Sequence, residues 1–488
     1  MTMNARIGLW ITALAISPLM FAACGDDEES GDGGKGGKGG TSGSSTGGDA
    51  GAGDTGGTAG TAGQGGTGGR GGSAGMSGSS TGGIAGEGGE GGVMGGAGGE
   101  GGAGTMASIR GPVSFGSIDQ TSIGKGACTG VVQAQAWTLT NENGLVAKLT
   151  DFGATLVELH VPDKDGVLAD IVQGFDSVDG YANSQFAGAT VGRVGNRIAN
   201  GTFTVGATTY TVTDAGPAAQ VPPNHSLHGG PCGWDKQHWS AVTRMTDDGP
   251  QIEFTIVSPD NDMNFPGQVT AKSIYTLTNA DELKIVMTAT TTETTPINML
   301  HHSYFNLGGV GSGSVYEQEL TIFAAQYTPA VTAAGTSQGV PDGNMSNVAS
   351  TPFDFRTAHL IGRDANLAGV GDQDPPGYDH NWVVDGTPGA LRNVAKVRDP
   401  NSGRVMTIQA DQPGVQFYTT NFRPTPGAAM PTIGKNGVIY RQHEALALET
   451  QKHPNAVNFT AGTHAQDEII EPSETYSHTM VHKFTVEP

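Results

Sequence analysis

The 488-residue chain contains 80 glycines, and about 38 of them fall within residues 31–110. A stretch that is nearly half Gly, filled out with Ser, Thr and Ala, offers too little apolar surface to offset the entropy of ordering it, which excludes it from any core. The formal charge is -22, with 37 acidic against 20 basic residues after residue 110 and no Lys/Arg cluster to neutralise phosphates, which excludes nucleic-acid binding.

In chain order, Arg6 is followed by an apolar run over residues 7–23 that ends at Cys24. The run contains Pro18, is marginal in length for a bilayer, and leads into the acidic GDDEES, so it reads as an export signal rather than a spanning helix. Ala22 and Ala23 directly before Cys24 resemble a bacterial lipobox, which implies cleavage at that point and acylation of the Cys24 thiol. An ordinary cleaved signal peptide, with Cys24 incidental, is the alternative. Residues 25–110 read as a disordered Gly/Ser/Thr-rich tether, and a coil of this kind spans roughly 50 Å. These segments place the protein outside the cytoplasm, anchored by lipid to a bacterial membrane on its periplasmic or cell-surface side.

Residues 111–488 are long enough for two ordinary domains or one large all-β unit. From Trp137 onward, short runs such as TLVELHV, IEFTIV, SIYTLT, LKIVMTAT and RVMTIQA recur, rich in Val, Ile, Thr and aromatic residues. NENG (141–144), PDKDG (162–166) and DDG (247–249) punctuate them with hairpin chemistry. The best helical segment is a turn or two over residues 177–183, so sheet packed on sheet is expected. With Cys24 lipidated, Cys128 and Cys232 remain, either as a disulfide pair in an oxidising compartment or as two separate thiols.

Five polar clusters interrupt the strands: VGRVGNRIANG (191–201), NHSLHGGPCGWDK (224–236), INMLHHSYFNLGG (297–309), YDHNW (378–382) and ALETQKHPNAVNF (447–459). Glu449 closes the apolar run ALALE, so desolvation there raises its pKa toward that of a useful base, unless it is simply a strand-terminal partner in a salt bridge. His301 and His302 are adjacent and face opposite sides of a strand. His228, His301, His302 and His380 match no zinc spacing, and no GxSxG elbow accompanies Asp379 and His380, which argues against a metal site and a hydrolase triad. What remains, Arg, Asn, His, Asp, Gln and Glu interleaved with Trp and Tyr, suits a neutral polyhydroxylated ligand.

Taken together, GRVGNRIANG, NHSLHGG with GWDK, PINMLHHSYFNLGG, YDHNW, PGVQFYTTNF and LETQKHPNAVN resemble the aldose 1-epimerase (galactose mutarotase) family over residues 130–485. The resemblance implies a large antiparallel β-sandwich, the mutarotase-like supersandwich, with an aldohexose such as galactose or glucose bound in an open cleft and neither metal nor organic cofactor. It implies Glu449 as the base on the O1 hydroxyl, His302 as the acid at the ring oxygen, and His228 beside the same centre. Asn196, Arg197, Asp379 and Gln416 would bind hydroxyls, with Ser303 and Tyr304 as weaker binding candidates. His301 and Trp234 depart from the family's usual Asn and Phe without removing a catalytic group. A disulfide from Cys128 to Cys232 would brace the loop after His228. A hexose-phosphate epimerase would need more cations than Arg197 supplies, and a tethered, non-catalytic sugar binder would need no matched acid and base.

Overall fold

The computed structural model describes residues 105–123, 128–184, 186–212, 225–333, 336–341, 343–367, 377–424, 431–460 and 467–488. Cys24, the signal segment 1–24, and the tether as far as residue 104 lie outside the described residues, as does Asn224. The first strand, Ser108–Asp119, starts before the expected domain boundary at residue 111. It pairs with Val131–Thr140, so strand structure also precedes Trp137.

Three sheets make up the frame. A nine-stranded antiparallel sheet runs from Ser240–Thr246 through Gly249–Ser258, Val269–Leu277 and Glu282–Thr291 to the C-terminal strand Tyr476–Val486. It continues through Arg404–Ala410, Arg392–Arg398 and Glu319–Ile322 to His359–Leu360. Its strands alternate as composition demands. In Glu282–Thr291, Leu283, Ile285 and Met287 are buried while Glu282, Lys284 and Val286 lie on the partly exposed face. A five-stranded sheet joins Ser108–Asp119, Val131–Thr140, Val146–Thr150, Thr155–Pro162 and Leu168–Asp170 as a meander in chain order. The NENG and PDKDG turns fall between its strands.

The third sheet also has five strands, ordered Ser346–Asn347, Gln326–Thr328, Asp379–Val383, Gly414–Tyr418 and Ala447–Gln451. One apolar core joins all three sheets, with Trp137 and Leu149 from the meander, Phe254 and Ile285 from the large sheet, and Trp382 and Phe417 from the third. Among the described residues the sole α-helix is Val178–Ala182, inside the span expected to be helical. Cys128 and Cys232 are joined by a disulfide whose Cα atoms lie 5.2 Å apart.

Candidate active site

Glu449 lies in the middle of its strand, not at the end as its sequence pattern suggested. The strand is Ala447–Gln451, and all five residues are buried because side chains cover both faces. Glu449 stands in register with Gln416, which on its other side is in register with Asn381, two residues from Asp379. With a side-chain period of two, Asp379, Gln416 and Glu449 share one face of the third sheet.

The other half of the site comes from short segments folded against that face. Arg197–Ile198 pairs with Ser226–Leu227, which sets Asn196 and Arg197 beside His228. Leu300–His301 pairs with Thr190–Val191 and delivers His302 immediately afterwards. The His302 backbone is held at both ends, its N–H donating to Ala189 O at 3.0 Å and its carbonyl accepting from Gly188 N at 2.9 Å. Positive φ values cluster here, +56° at Asn196, +49° at His228 and +58° at Phe186, in a region that non-glycine residues occupy at a cost. Gly229 follows at φ +86°, where a Cβ would collide with the Gly192 carbonyl, so the loop turns closely only with glycine there.

These segments enclose a cleft of about 490 Å³, counting its open mouth, lined by Asn196, Arg197, His228, His302, Tyr304, Asp379, Gln416 and Glu449. Ser303 is not among the lining residues. Its hydroxyl turns to His301 Nε2 at 2.7 Å, and His301 Nδ1 lies 3.3 Å from Tyr275 OH, so both residues serve the packing behind His302. Phe186, Leu227, Tyr418 and Phe422 also line the cleft. Leu227 sits inside a polar block and Tyr418 and Phe422 inside PGVQFYTTNF, where the aromatic and apolar residues were the available signal; Phe186 precedes its block and nothing local marks it.

His302 Nε2 lies 3.5 Å from Glu449 Oε1, with the two side chains 5% and 3% exposed. Burial, with the neighbouring Asp379 charge, pushes the Glu449 carboxyl well above its usual range against the pull of Arg197. Burial, with Arg423 nearby, lowers His302 to about 3. His228 is likewise held well below its usual value, by burial and by His302 and Arg197. Both shifts run in the direction that burial imposes, toward the uncharged form of each partner.

Along one wall the polar groups are already linked. Gln416 Nε2 donates to Asp379 Oδ1 at 2.6 Å, Arg197 Nη2 lies 3.7 Å from Asp379 Oδ2, and Arg197 Nη1 donates to Asn196 Oδ1 at 3.3 Å. Four buried atoms, Arg197 Nε, His302 Nδ1, Gln416 Oε1 and Glu449 Oε2, have no hydrogen-bond partner. Buried polar atoms left open in a cleft are ready for a ligand that brings its own donors and acceptors.

Donor atoms of His228, His302 and Glu449 come within 4.8 Å of one another, close enough to consider a metal ion. His228 does not fit that use. Its Nδ1 accepts the Asn196 N–H at 3.1 Å, so the neutral ring carries its hydrogen on Nε2 and has no free lone pair to give. Two ligands remain, fewer than a protein zinc site employs. A second group, Glu158, His160 and Asp170, already carries Lys148 and Lys435 as counter-ions.

Beneath the cleft, Asn298 and Glu468 tie three of the motif blocks together. Asn298 Oδ1 accepts from Lys452 N at 3.0 Å, its carbonyl accepts from Gly195 N at 2.7 Å, and its side-chain amide donates to Glu468 Oε1 at 2.9 Å. Glu468 Oε2 accepts from Val457 N at 3.1 Å. The strand carrying Glu449 and the loop carrying Arg197 are thereby referenced to one buried hub.

An antiparallel sandwich with a buried carboxyl–imidazole pair in a cleft of hydrogen-bonding groups defines a class, an acid–base enzyme for a polyhydroxylated ligand. Comparison with known proteins makes the class particular. The model of the family described as aldose 1-epimerase matches residues 135–483, and the chain belongs to that family of isomerases. It is 38% identical to the galactose mutarotase of Bos taurus over 339 residues, covering 69% of this chain and 90% of the bovine one. The aldose 1-epimerase of Escherichia coli (strain K12) is 32% identical over 351 residues, covering 72% of this chain and 95% of its own. Among solved structures, an aldose epimerase homologue from C. elegans superposes with a TM-score of 0.60 at 29% identity, covering 72% of this chain and 98% of the other.

Proposed function

We propose that the chain interconverts the α and β anomers of aldohexoses such as galactose and glucose. Glu449 takes the proton from the O1 hydroxyl while His302 delivers one to the ring oxygen O5. The C1–O5 bond breaks, C1 becomes a carbonyl, rotation about C1–C2 presents its other face, and the steps reverse. O1 and O5 hang on the same carbon, so acid and base must stand within a few ångströms of each other. The 3.5 Å approach of His302 Nε2 to Glu449 Oε1 is the observation that carries this reading.

The pair needs one proton between its members, and that proton must rest on His302 when a sugar arrives. A carboxylate accepting the O1 hydroxyl and an imidazolium donating to O5 are each stabilised by the ligand, which draws the proton across. His228, with hydrogen on Nε2, supplies a second donor at the same centre. Arg197 and Asp379 present a fixed donor fork and a pure acceptor to the remaining hydroxyls, with Asn196 and Gln416 completing the wall.

Polarimetry on freshly dissolved α-D-galactose and α-D-glucose tests this with the full chain. The wild type should relax the rotation faster than buffer, and Glu449→Gln and His302→Asn should each lose about 10² to 10⁴-fold of that rate. Sugar binding by calorimetry without any acceleration would instead make the chain a tethered binder on this fold.

The same proposal extends to location. Residues 1–24 act as a lipoprotein-type signal, Cys24 carries lipid, and residues 25–110 tether the enzyme to the outer side of a bacterial membrane. The Cys128–Cys232 disulfide supports this, since such bonds persist in oxidising compartments. Metabolic labelling with a radioactive fatty acid should mark the wild type and not Cys24→Ser; equal labelling would remove the anchor.

A further inference from the structure

We propose that Phe186, oriented by Lys236, is the apolar platform against which the C–H face of the sugar ring rests, and so sets affinity in this cleft; the inference rests on the aldohexose reading above. A pyranose directs its hydroxyls around its rim and leaves C–H surface on its faces, so a polar wall alone cannot hold it. A flat apolar surface close to the reacting carbon is required as well.

The cleft offers four aromatic rings. Tyr304 is enclosed, with His302 4.9 Å away on one side and the Arg423 guanidinium 5.2 Å from its centroid. Tyr418 and Phe422 stack on each other at 6.2 Å and 23°. Phe186 alone borders both imidazoles, its centroid 4.4 Å from that of His228 and 5.8 Å from that of His302 at an interplanar angle of 26°. It keeps part of its surface exposed in the cleft.

The backbone bears out a directed role. Phe186 has φ +58°, a conformation that is costly for a bulky residue and persists only where the surroundings impose it. Among those surroundings is Lys236, the last residue of the GWDK block and one that the proton chemistry does not use. Lys236 Nζ donates to Tyr181 O and Ser184 O, both at 3.1 Å, and so fixes the chain leading to Phe186. The same ammonium lies 5.7 Å from the Phe186 centroid and pairs with Asp235 at 2.8 Å. Lysine is almost never this buried, at 8% exposure, without specific partners, and here they are the Asp235 carboxylate, one loop and one ring. On the far side, Ala189 N donates to Phe186 O at 3.1 Å and Gly188 N to His302 O, so platform and acid share one frame.

The test compares wild type, Phe186→Ala, Phe186→Leu, Lys236→Met and Lys236→Arg by polarimetric kinetics and by calorimetry with D-galactose. A contact made equally in ground and transition states moves KM and leaves kcat. Phe186→Ala should raise KM and Kd about tenfold, the order expected for a lost ring contact, with kcat within about threefold. Phe186→Leu keeps apolar volume without a flat ring and should fall between. Lys236→Met should weaken binding in the same direction, and Lys236→Arg should restore part of it. An active wild type whose KM and Kd are unchanged in both Phe186 variants overturns the platform while leaving the enzyme reading intact. A wild type that neither binds nor turns over galactose overturns both.

Discussion

The nine-stranded sheet and the five-stranded sheet bearing Glu449 are built on opposite terms. In the large sheet, strands alternate apolar and polar residues, and side chains such as Phe254, Ile285 and Met287 disappear into the shared core. In the site sheet, Gly414–Tyr418 and Ala447–Gln451 are buried on both faces, yet they present Gln416 and Glu449, each with an oxygen lacking a partner. The first arrangement stabilises the fold. The second tolerates desolvated, unpaired groups because the first holds them in place, and those groups are what a ligand completes.

The sharpest way to separate the two regions is to replace Glu449 with Gln. Catalysis should fall by about 10² to 10⁴-fold while the urea midpoint stays the same or rises, because burial disfavours the Glu449 carboxylate and a neutral amide of the same shape is spared that cost. A marked loss of stability would show that the site sheet is structural in the same sense as the large one. The converse replacement, Ile285→Ala, should cost about 2–5 kcal/mol in denaturant unfolding and leave kcat of the folded enzyme unchanged.

Proton linkage extends the comparison to pH. Glu468, raised to about 8 by burial and by Asp467, binds its proton more tightly folded than unfolded. Its contribution is full below the ordinary carboxylate pKa and is lost as pH rises toward 8, by up to about 1.4 kcal/mol per pH unit from this group. Glu468→Gln should flatten that limb in urea titrations run from pH 5 to pH 8. Buried His478 and His482, lowered to about 4, act oppositely, giving stability that is present above their unfolded pKa and lost as pH falls through 4. A smaller effect is expected in activity. Asp379→Asn removes the like charge beside Glu449, so the pH at which kcat/KM falls, as the pair loses its one proton, should move downward, whatever rate the variant retains. The smallest concerns Lys483 and Glu282, paired at 3.2 Å on the exposed face of the large sheet. Lys483→Met should change stability by no more than about 1 kcal/mol.

Sequence patterning reached the sheets wherever alternation was strong, as in Glu282–Thr291, and missed Ser108–Asp119, whose SIRGPVSFGSID contains two glycines and a proline and reads as loop. That strand forms because Val131–Thr140 pairs along its length, a tertiary cause with no local trace. In the cleft, Asn196, Arg197, His228, His302, Tyr304, Asp379 and Glu449 were legible as parts of polar blocks, and Gln416 through the family resemblance of PGVQFYTTNF, and they converge. Ser303, a weaker candidate in the sequence, turns its hydroxyl to His301, a direction that adjacency to His302 does not report. Glu449 was placed at a strand end because ALALE looks terminal, whereas pairing with Gly414–Tyr418 carries the strand on to Gln451. Phe186 and Glu468 were illegible, and Lys236 and Asn298 stood inside quoted blocks without a visible role, since each acts through contacts made only once distant segments meet.

The last strand, Tyr476–Val486, lies in the interior of the large sheet, between Glu282–Thr291 and Arg404–Ala410. A ribosome delivers it after every other strand of that sheet, so until it emerges the two halves of the sheet have no strand to join them. Closure waits on contacts that span nearly two hundred residues of chain. The nascent polypeptide thus carries two unjoined half-sheets with unpaired strand edges until that strand has emerged.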